Sequence, residues 1–401
     1  MRILVLSAWY PPHHLGGYEL ACESAVRGLR ERGHELLVLS SGYRTVYGEG
    51  RTDEARRELN LFWDDGEWRR PGLAGGVRAA REDLASFRRA IDEFRPDLVW
   101  VWHLAGISKV LLSEAFARKL PYVLSFLDVW PIYDLPPDPW LRWCRGPRAP
   151  VGLAIGVARG IPSRVPRLAR EAADAAYCSA WLQETLVRRG LGPPGRVIYP
   201  GVDRARFPAA PPPAPRIRRF LQVGRVEPRK GQAVAVEALA KLHAAGYPDA
   251  TLTVAGSAER GYDEELRGLA ARLGVSGAVT QTGPVPPERL RDLYAEHDAA
   301  VHAATWDEPF GLVLVEALAS GRPLVCSPTG GAHEIVTPGV DALTFEAGDA
   351  AACAARMEAL AADRVLVGRL VEAGLRTAAT FTEDRAADQH EAQLLEVAAR
   401  G

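Results

Sequence analysis

The chain is poor in cysteine and almost without net charge, and it has no long apolar run. Its five cysteines (Cys22, Cys144, Cys178, Cys326, Cys353) are odd in number, scattered, and never spaced C-x-x-C. That excludes a disulfide scaffold and a structural zinc site of the usual spacing, and predicts reduced thiols in a cytoplasmic protein. Basic and acidic side chains number 49 and 50, for a net charge of −1, which excludes a nucleic-acid binder working by overall positive charge. Arg greatly outnumbers Lys, a bias of composition that carries no function. No run approaches the ~20 apolar residues of a membrane span. The N-terminal MRILVLSAWYPP has one basic residue and an apolar run broken at Pro11, so it reads as a first strand and not a signal peptide. The expectation is a soluble protein, at most peripheral on the inner face of a membrane. There is no repeat of solenoid period.

What is present is an ordinary globular composition, 47% hydrophobic and 25% charged, at a length of 401 residues that suits two domains with a core each. Residues 3–7 read as a continuous apolar strand, 19–32 as a helix ended by Gly33, and 34–40 as the next strand. This βαβ opening predicts a parallel sheet with helices on both faces. Residues 77–94 read as an amphipathic helix and 98–102 as a strand leading to His103. Residues 120–126 give a strand ending near Asp128, 174–179 another, and 181–189 a helix. The stretch 209–219, AAPPPAPRIRR, is proline-rich and marks a boundary. The pattern then restarts, with strands at 220–223, 251–255 and 279–282, helices at 231–245, 266–273 and 290–296, and a long final helix at 383–399. The fold class is therefore α/β. The domains expected are 1–207 and 220–380, joined by a linker at 208–219 and followed by a helical segment at 381–401.

Two stretches fit this scheme poorly. Residues 44–72 are rich in charge, with Trp63 and Trp68, and carry no period, as an excursion from the domain would. Asp64-Asp65 within them is not D-x-D and reads as a solvated turn. Residues 142–170 hold seven arginines and no acidic residue, interleaved with Trp143, Leu153 and Ile155. They read as solvated loops around a short apolar helix, or as a basic surface for an anionic acceptor or an anionic membrane, where each arginine contributes ~1 kcal/mol.

The chemistry concentrates in 302–336, HAATWDEPFGLVLVEALASGRPLVCSPTGGAHEIV. Proline suits the first turn of a helix and glycine the position past its end, which predicts a helix over 309–320 between Glu308 and Gly321. A buried strand at 323–327 should follow, and Gly330-Gly331 should open another helix near Glu334. Glu316 lies eight residues after Glu308, about two turns, so both carboxylates would sit on one side of the helix near its start. The N–H groups around Phe310, Gly311 and Leu312 would favour an anion there. Taken singly, Glu308 is equally a helix cap and Glu316 a solvated helix residue. Together they offer acceptors for sugar hydroxyls beside a phosphate seat.

A second charged cluster, Gly224-Arg225-Val226-Glu227-Pro228-Arg229-Lys230-Gly231, follows a strand and opens a helix. Arg225 and Lys230 could lean over one strand-end crevice and offset the charge of a diphosphate. R-x4-K alone is a common solvated pair. In the first half, Gly16-Gly17 sits in the loop after the first strand, where parallel sheets bind ligands, but lacks the full dinucleotide glycine pattern and taken alone is a tight turn.

With R-x4-K followed some 80 residues later by E-x7-E, the chain resembles the retaining glycosyltransferases of family 4 along nearly its whole length. The resemblance implies the GT-B fold: two Rossmann-like domains facing a central cleft, the last helix crossing back onto the first domain. It implies a hexosyltransferase-class enzyme that moves a sugar from a nucleoside-diphosphate sugar, most often a UDP-sugar, to a hydroxyl of a small molecule, glycan or lipid-linked sugar. Retention of configuration is implied, with no metal and no other cofactor. Carried over by position, Arg225 and Lys230 would hold the diphosphate, Glu308 the transferred sugar and Glu316 the ribose. The backbone of Phe310, Gly311 and Leu312 would complete these contacts. Val285 would read the base, and Gly16 and Gly17 would approach the donor diphosphate and the acceptor. Where members usually read His-Asp this chain has Leu127-Asp128, so Asp128 keeps its match and His103 is the imidazole available nearby. The alternatives on the same fold are a sugar phosphorylase, a non-hydrolysing epimerase, or a degenerate sugar-nucleotide-binding partner subunit.

Overall fold

Short apolar runs bounded by glycine and helix make both halves of the chain. The computed structural model describes residues 1–400 apart from 46–47, 49–52, 65–66, 135–137, 165–166, 212 and 214–215. Two compact units result, Met1–Tyr199 with Ala386–Gly401, and Pro200–Arg385.

The first unit contains β1 (Arg2–Ser7), β2 (Glu35–Ser41), β3 (Arg56–Leu59), a separate two-stranded hairpin of β4 (Trp63–Asp64) and β5 (Glu67–Trp68), then β6 (Leu98–His103), β7 (Tyr122–Phe126), β8 (Asp174–Tyr177) and β9 (Arg196–Val197). Its main sheet is parallel, in the order β3-β2-β1-β6-β7-β8-β9. The winding reverses between β1 and β6, the place where open α/β sheets bind ligands beyond their carboxyl ends. The apolar interiors of β1 (residues 3–6) and β6 (residues 98–102) are buried, as those of central parallel strands must be. The helices are α1 (Gly17–Glu31), α2 (Leu73–Phe94), α3 (Val110–Ala117), α4 (Trp130–Asp134), α5 (Ala149–Arg159), α6 (Leu168–Glu171) and α7 (Ala180–Arg188).

The second unit repeats the winding. Its strands are β10 (Arg219–Val223), β11 (Thr251–Ala255), β12 (Val279–Gln281), β13 (Ala299–His302), β14 (Leu324–Cys326) and β15 (Leu343–Thr344). They pair in parallel in the order β12-β11-β10-β13-β14-β15. Around them lie α8 (Gln232–Ala244), α9 (Tyr262–Arg272), α10 (Pro287–Glu296), α11 (Leu312–Ala319), α12 (Ala350–Ala362) and α13 (Arg364–Ala378). Leu239, Leu252, Val301, Met357 and Leu370 are among the fully covered residues of its core.

The last helix, α14 (Glu383–Ala398), belongs to the first unit from Ala386 onward. Leu394 and Val397 join the core of Ile3, Val5 and Leu98, and the His390 ring packs on Trp100 and Trp102, centroids 5.1 and 5.5 Å away. A His34–Glu391 hydrogen bond at 2.7 Å and an Arg196–Glu396 ion pair at 3.0 Å line its flanks.

The structure departs from the sequence reading in several places. The units divide after Tyr199 and not after residue 207, and the described part of the proline-rich stretch belongs to the second unit. Ala210 N–H donates to the Ser320 carbonyl at 3.1 Å, and the Arg322 guanidinium donates to the Pro211 carbonyl. Proline-rich composition thus marks an extended segment laid on the domain and not a free linker. Residues 56–59, expected to be irregular, form the edge strand β3. Of the Asp64-Asp65 pair, Asp65 lies outside the described residues. The helix expected over 309–320 begins only at Leu312, because Gly311 holds φ +104° and cannot continue a right-handed helix. Gly330 to Glu334 is one turn of 3-10 helix, not the opening of a longer one.

Candidate functional site

In the second unit, two loops leave the carboxyl ends of β10 and β13, the strands flanking the reversal, and they are tied to each other. Thr305 N–H donates to the Arg229 carbonyl at 2.9 Å, and the indole of Trp306 lies under the Arg229 guanidinium at 4.3 Å and the Lys230 ammonium at 5.2 Å. Two buried glutamines hold the first loop from beneath. Gln222 donates to the Lys230 carbonyl at 2.7 Å and Gln232 to the Arg225 carbonyl at 2.8 Å.

Lys230 Nζ donates to Glu308 Oε1 at 2.5 Å. Glu308 is buried, and its backbone is pinned as well. Gly331 N–H donates to the Glu308 carbonyl at 2.7 Å, and a Cβ on Gly330 would meet that oxygen at 2.5 Å. The Gly330-Gly331 pair therefore serves to seat Glu308. Burial pushes the Glu308 carboxyl up, but Lys230 and then His302 more than offset this, leaving it below the usual carboxylate range. His302, the last residue of β13, places Nε2 3.7 Å from Glu308 Oε1. Among the described residues that nitrogen has no hydrogen-bond partner. Burial lowers the imidazole to about 4, Glu308 opposing and Lys230 assisting, so the ring is neutral near pH 7.

The other expected residues of the second unit lie on separate loops and helices, each with its own neighbours. Arg225 makes its ion pair with Glu227, at 3.6 Å. Glu316, half-buried on α11, accepts a hydrogen bond from the Tyr294 hydroxyl at 3.3 Å. Burial raises its carboxyl to about 7, against the pull of Arg206 and of the Tyr294 hydrogen bond. Glu308 lies in the loop, four residues before α11 begins at Leu312. The first N–H groups of α11 are those of Leu312, Val313 and Leu314, and Leu314 already donates to the Gly311 carbonyl at 2.9 Å. Phe310 is buried with its ring 5.7 Å from that of Phe381. Val285 is half-buried in the loop between β12 and α10.

In the first unit, His103 ends β6, with Nε2 3.3 Å from Asp128 Oδ2. Asp128 also accepts from the Trp130 N–H at 2.9 Å. The His103 ring sits among Tyr18 at 4.7 Å and Trp9 at 5.2 Å. Gly16 precedes α1 in extended conformation and Gly17 begins it. The buried Glu19 carboxyl turns back to accept the Gly16 N–H at 2.9 Å. Burial raises that carboxyl, and His103 opposes the shift.

Sequence reasoning passed over Glu19, Arg206, Tyr294, Trp306 and His302 as site neighbours. His302 alone carried a signal, as a polar residue ending an apolar stretch.

Comparison with known proteins agrees along the chain. Residues 15–206 match the family described as Glycosyltransferase Family 4, and 203–377 that described as Glycosyl transferases group 1. Glycogen synthase of Mycobacterium tuberculosis is 29% identical over 392 residues, covering 93% of this chain and 89% of that protein. A D-inositol 3-phosphate glycosyltransferase of Acidothermus cellulolyticus is 34% identical over 197 residues, 45% of this chain and 41% of its own. Anabaena HepE, solved in complex with UDP and glucose, superposes with a TM-score of 0.71 at 21% identity, covering 99% of this chain and all of its own. Sucrose-phosphate synthase from Thermosynechococcus elongatus superposes over the whole of both chains with a TM-score of 0.72 at 19% identity. The chain belongs to glycosyltransferase family 4, has the GT-B fold, and is a glycosyltransferase.

Proposed function

We propose that the second unit binds a nucleoside-diphosphate sugar, first of all a UDP-sugar, and that the enzyme moves its sugar to an acceptor hydroxyl with retention and without a metal. One observation carries the reading: the Lys230–Glu308 pair, a cation for phosphate and an acceptor for sugar hydroxyls, held together at 2.5 Å. As the sugar–phosphate bond breaks, negative charge grows on the departing diphosphate. Lys230 and Arg225 are the cations placed to take it, and the N–H groups at the start of α11 add partial positive charge. Glu308, kept ionised, accepts from the hydroxyls of the transferred sugar. Glu316, with Tyr294 beside it, takes the ribose, and the backbone at Val285 the base. Uridine is preferred because Anabaena HepE is solved with UDP and with UDP-glucose. In the first unit, Asp128 and the backbone at Gly16 and Gly17 keep the places that the family resemblance gives them, and His103 supplies an imidazole beside Asp128.

A thermal-shift screen with UDP, GDP, ADP and TDP tests the donor. A ligand at a hundredfold excess over its dissociation constant stabilises the fold by ~2.7 kcal/mol, and UDP is expected to give the largest shift. Donor turnover, including slow hydrolysis without acceptor, should then vanish in Lys230→Ala. Equal shifts with all four nucleotides, or turnover indifferent to Lys230, would overturn the reading. Conversion of sugar nucleotide to an epimer without acceptor would replace it by the epimerase.

A further inference from the structure

Helix α5 is built inside out. Its buried positions are Gly152 and Gly156. A Cβ at Gly152 would meet the Trp143 carbonyl at 2.2 Å, and one at Gly156 would fall within contact of the Ser163 side chain and 2.9 Å from the Ile161 carbonyl. The helix is thus drawn against its own domain by the side that has no side chains. Its outward side carries Pro150, Val151, Leu153, Ala154, Val157 and Ala158, all exposed and none polar. Val157 is 86% exposed, Val151 52% and Leu153 48%. An apolar face of this kind left in water is unfavourable and marks an interaction surface.

The charge around it says what covers it. Arg145 and Arg148 precede the helix, Arg159 ends it, and Arg167 and Arg170 follow. All five are exposed, and among the described residues none of them makes an ion pair. No acidic side chain lies between Arg142 and Arg170. A second copy meeting the same face would set arginine against arginine. An anionic lipid surface would instead offer phosphates to the rim and hydrocarbon to the centre, the arrangement of a helix lying in a membrane interface. No helix among the described residues is long and apolar enough to cross a membrane, so the contact is one of lying on the surface.

We propose that α5 and its arginine rim dock this protein on an anionic bilayer, with Val151, Leu153 and Val157 entering the headgroup–acyl boundary. The proposal concerns binding alone and does not depend on which donor is used. Its test is co-sedimentation of the full chain with vesicles of phosphatidylcholine alone and with 30% phosphatidylglycerol, at low and high salt. Binding is expected only to the anionic vesicles, weakening as salt screens the arginines. Arg148→Glu with Arg159→Glu should lower the partition by roughly thirtyfold or more, each lost arginine being worth about fivefold. Val151→Ser with Leu153→Ser and Val157→Ser should lower it by at least about a hundredfold. These three side chains are exposed, so the variant should keep the wild-type melting temperature, measured alongside. Equal binding to neutral vesicles, no binding to either, or unchanged binding in both variants would overturn the proposal. So would light scattering that shows a dimer abolished by the serine variant, which would assign the face to a second copy.

Discussion

Replacing Lys230 with methionine removes the ammonium and keeps most of the stem, leaving Glu308 buried with a neutral imidazole as the next polar group, 3.7 Å away. Breaking a buried pair by deleting one partner costs about 3–5 kcal/mol. The Lys230 side chain is 22% exposed, so some of the interaction is already solvated and about 2–3 kcal/mol is expected at neutral pH. In a unit of this size that is a fall of about 4–12 °C in melting temperature. The pH dependence separates this cause from lost packing. In the wild type the folded-state Glu308 lies below its ordinary value, so its contribution is present above about pH 4.5 and fades as the pH drops through the folded value. In the variant burial is opposed only by His302 and Trp306, and the carboxyl should rise above its ordinary value. Ionisation then destabilises the fold as the pH increases. The gap between the two proteins should be widest at pH 7.5 and should narrow steadily toward pH 4.5. Adding Glu308→Gln to Lys230→Met should restore most of the loss at pH 7.5, since the amide has no charge to bury. Scanning fluorimetry at both pH values reads all of this. A gap of the same size at each pH, or a double variant no more stable than Lys230→Met, would refute the charge-pair account.

Three further outcomes follow from the same geometry. Gly330→Ala places a Cβ 2.5 Å from the Glu308 carbonyl at φ +55° and should cost about 1–3 kcal/mol, with donor turnover falling more than nucleotide affinity in steady-state kinetics. Glu316→Gln replaces a carboxyl raised to about 7; because ionising it opposes folding, the variant should gain melting temperature over the wild type as the pH rises from 5 to 8.5. That gain is limited to about 1 kcal/mol by its partial exposure. His302→Leu removes the nitrogen 3.7 Å from Glu308 Oε1, which makes no hydrogen bond among the described residues, and should lower kcat by no more than about tenfold, while the UDP thermal shift stays unchanged.

The strand-and-helix alternation was readable because β1, β2 and β7 are apolar runs closed by proline, glycine or a charged turn, which needs only local information. The segments that escaped depend on tertiary context. Residues 56–59, RREL, have the composition of a surface loop and become β3 only because β2 offers an open edge. The stretch 299–302, AAVH, is too short and too small to announce a central strand, yet it pairs with both β10 and β14. At the candidate site, motif spacing and the family resemblance singled out Glu308, Lys230, Arg225 and Glu316, but not their local partners. Arg206 faces Glu316 from 110 positions earlier in the chain, a distance no periodicity reports. The helix start was misplaced because proline is at home in a first turn, whereas the left-handed Gly311 decides where this helix can begin.

The same winding used twice accounts for a further regularity. In each main sheet the fourth strand lies beside the first, where the winding reverses, and in each it ends on a histidine, His103 or His302. Each imidazole has a carboxylate brought to it by a loop, Asp128 at 3.3 Å and Glu308 at 3.7 Å. Parallel strands send all their following loops to one edge, so side chains distant in sequence gather there without any special arrangement. The strands supply the position, and the loops decide the chemistry. His302 shares its carboxylate with an ammonium and is held neutral near pH 7, so the positive charge of the second site rests on Lys230 and Arg225. His103 instead lies near the buried carboxyl of Glu19 as well as Asp128. Two equivalent positions on one fold have therefore been set to different electrostatic tasks by what their loops carry, as expected when function is grafted onto a scaffold and not dictated by it.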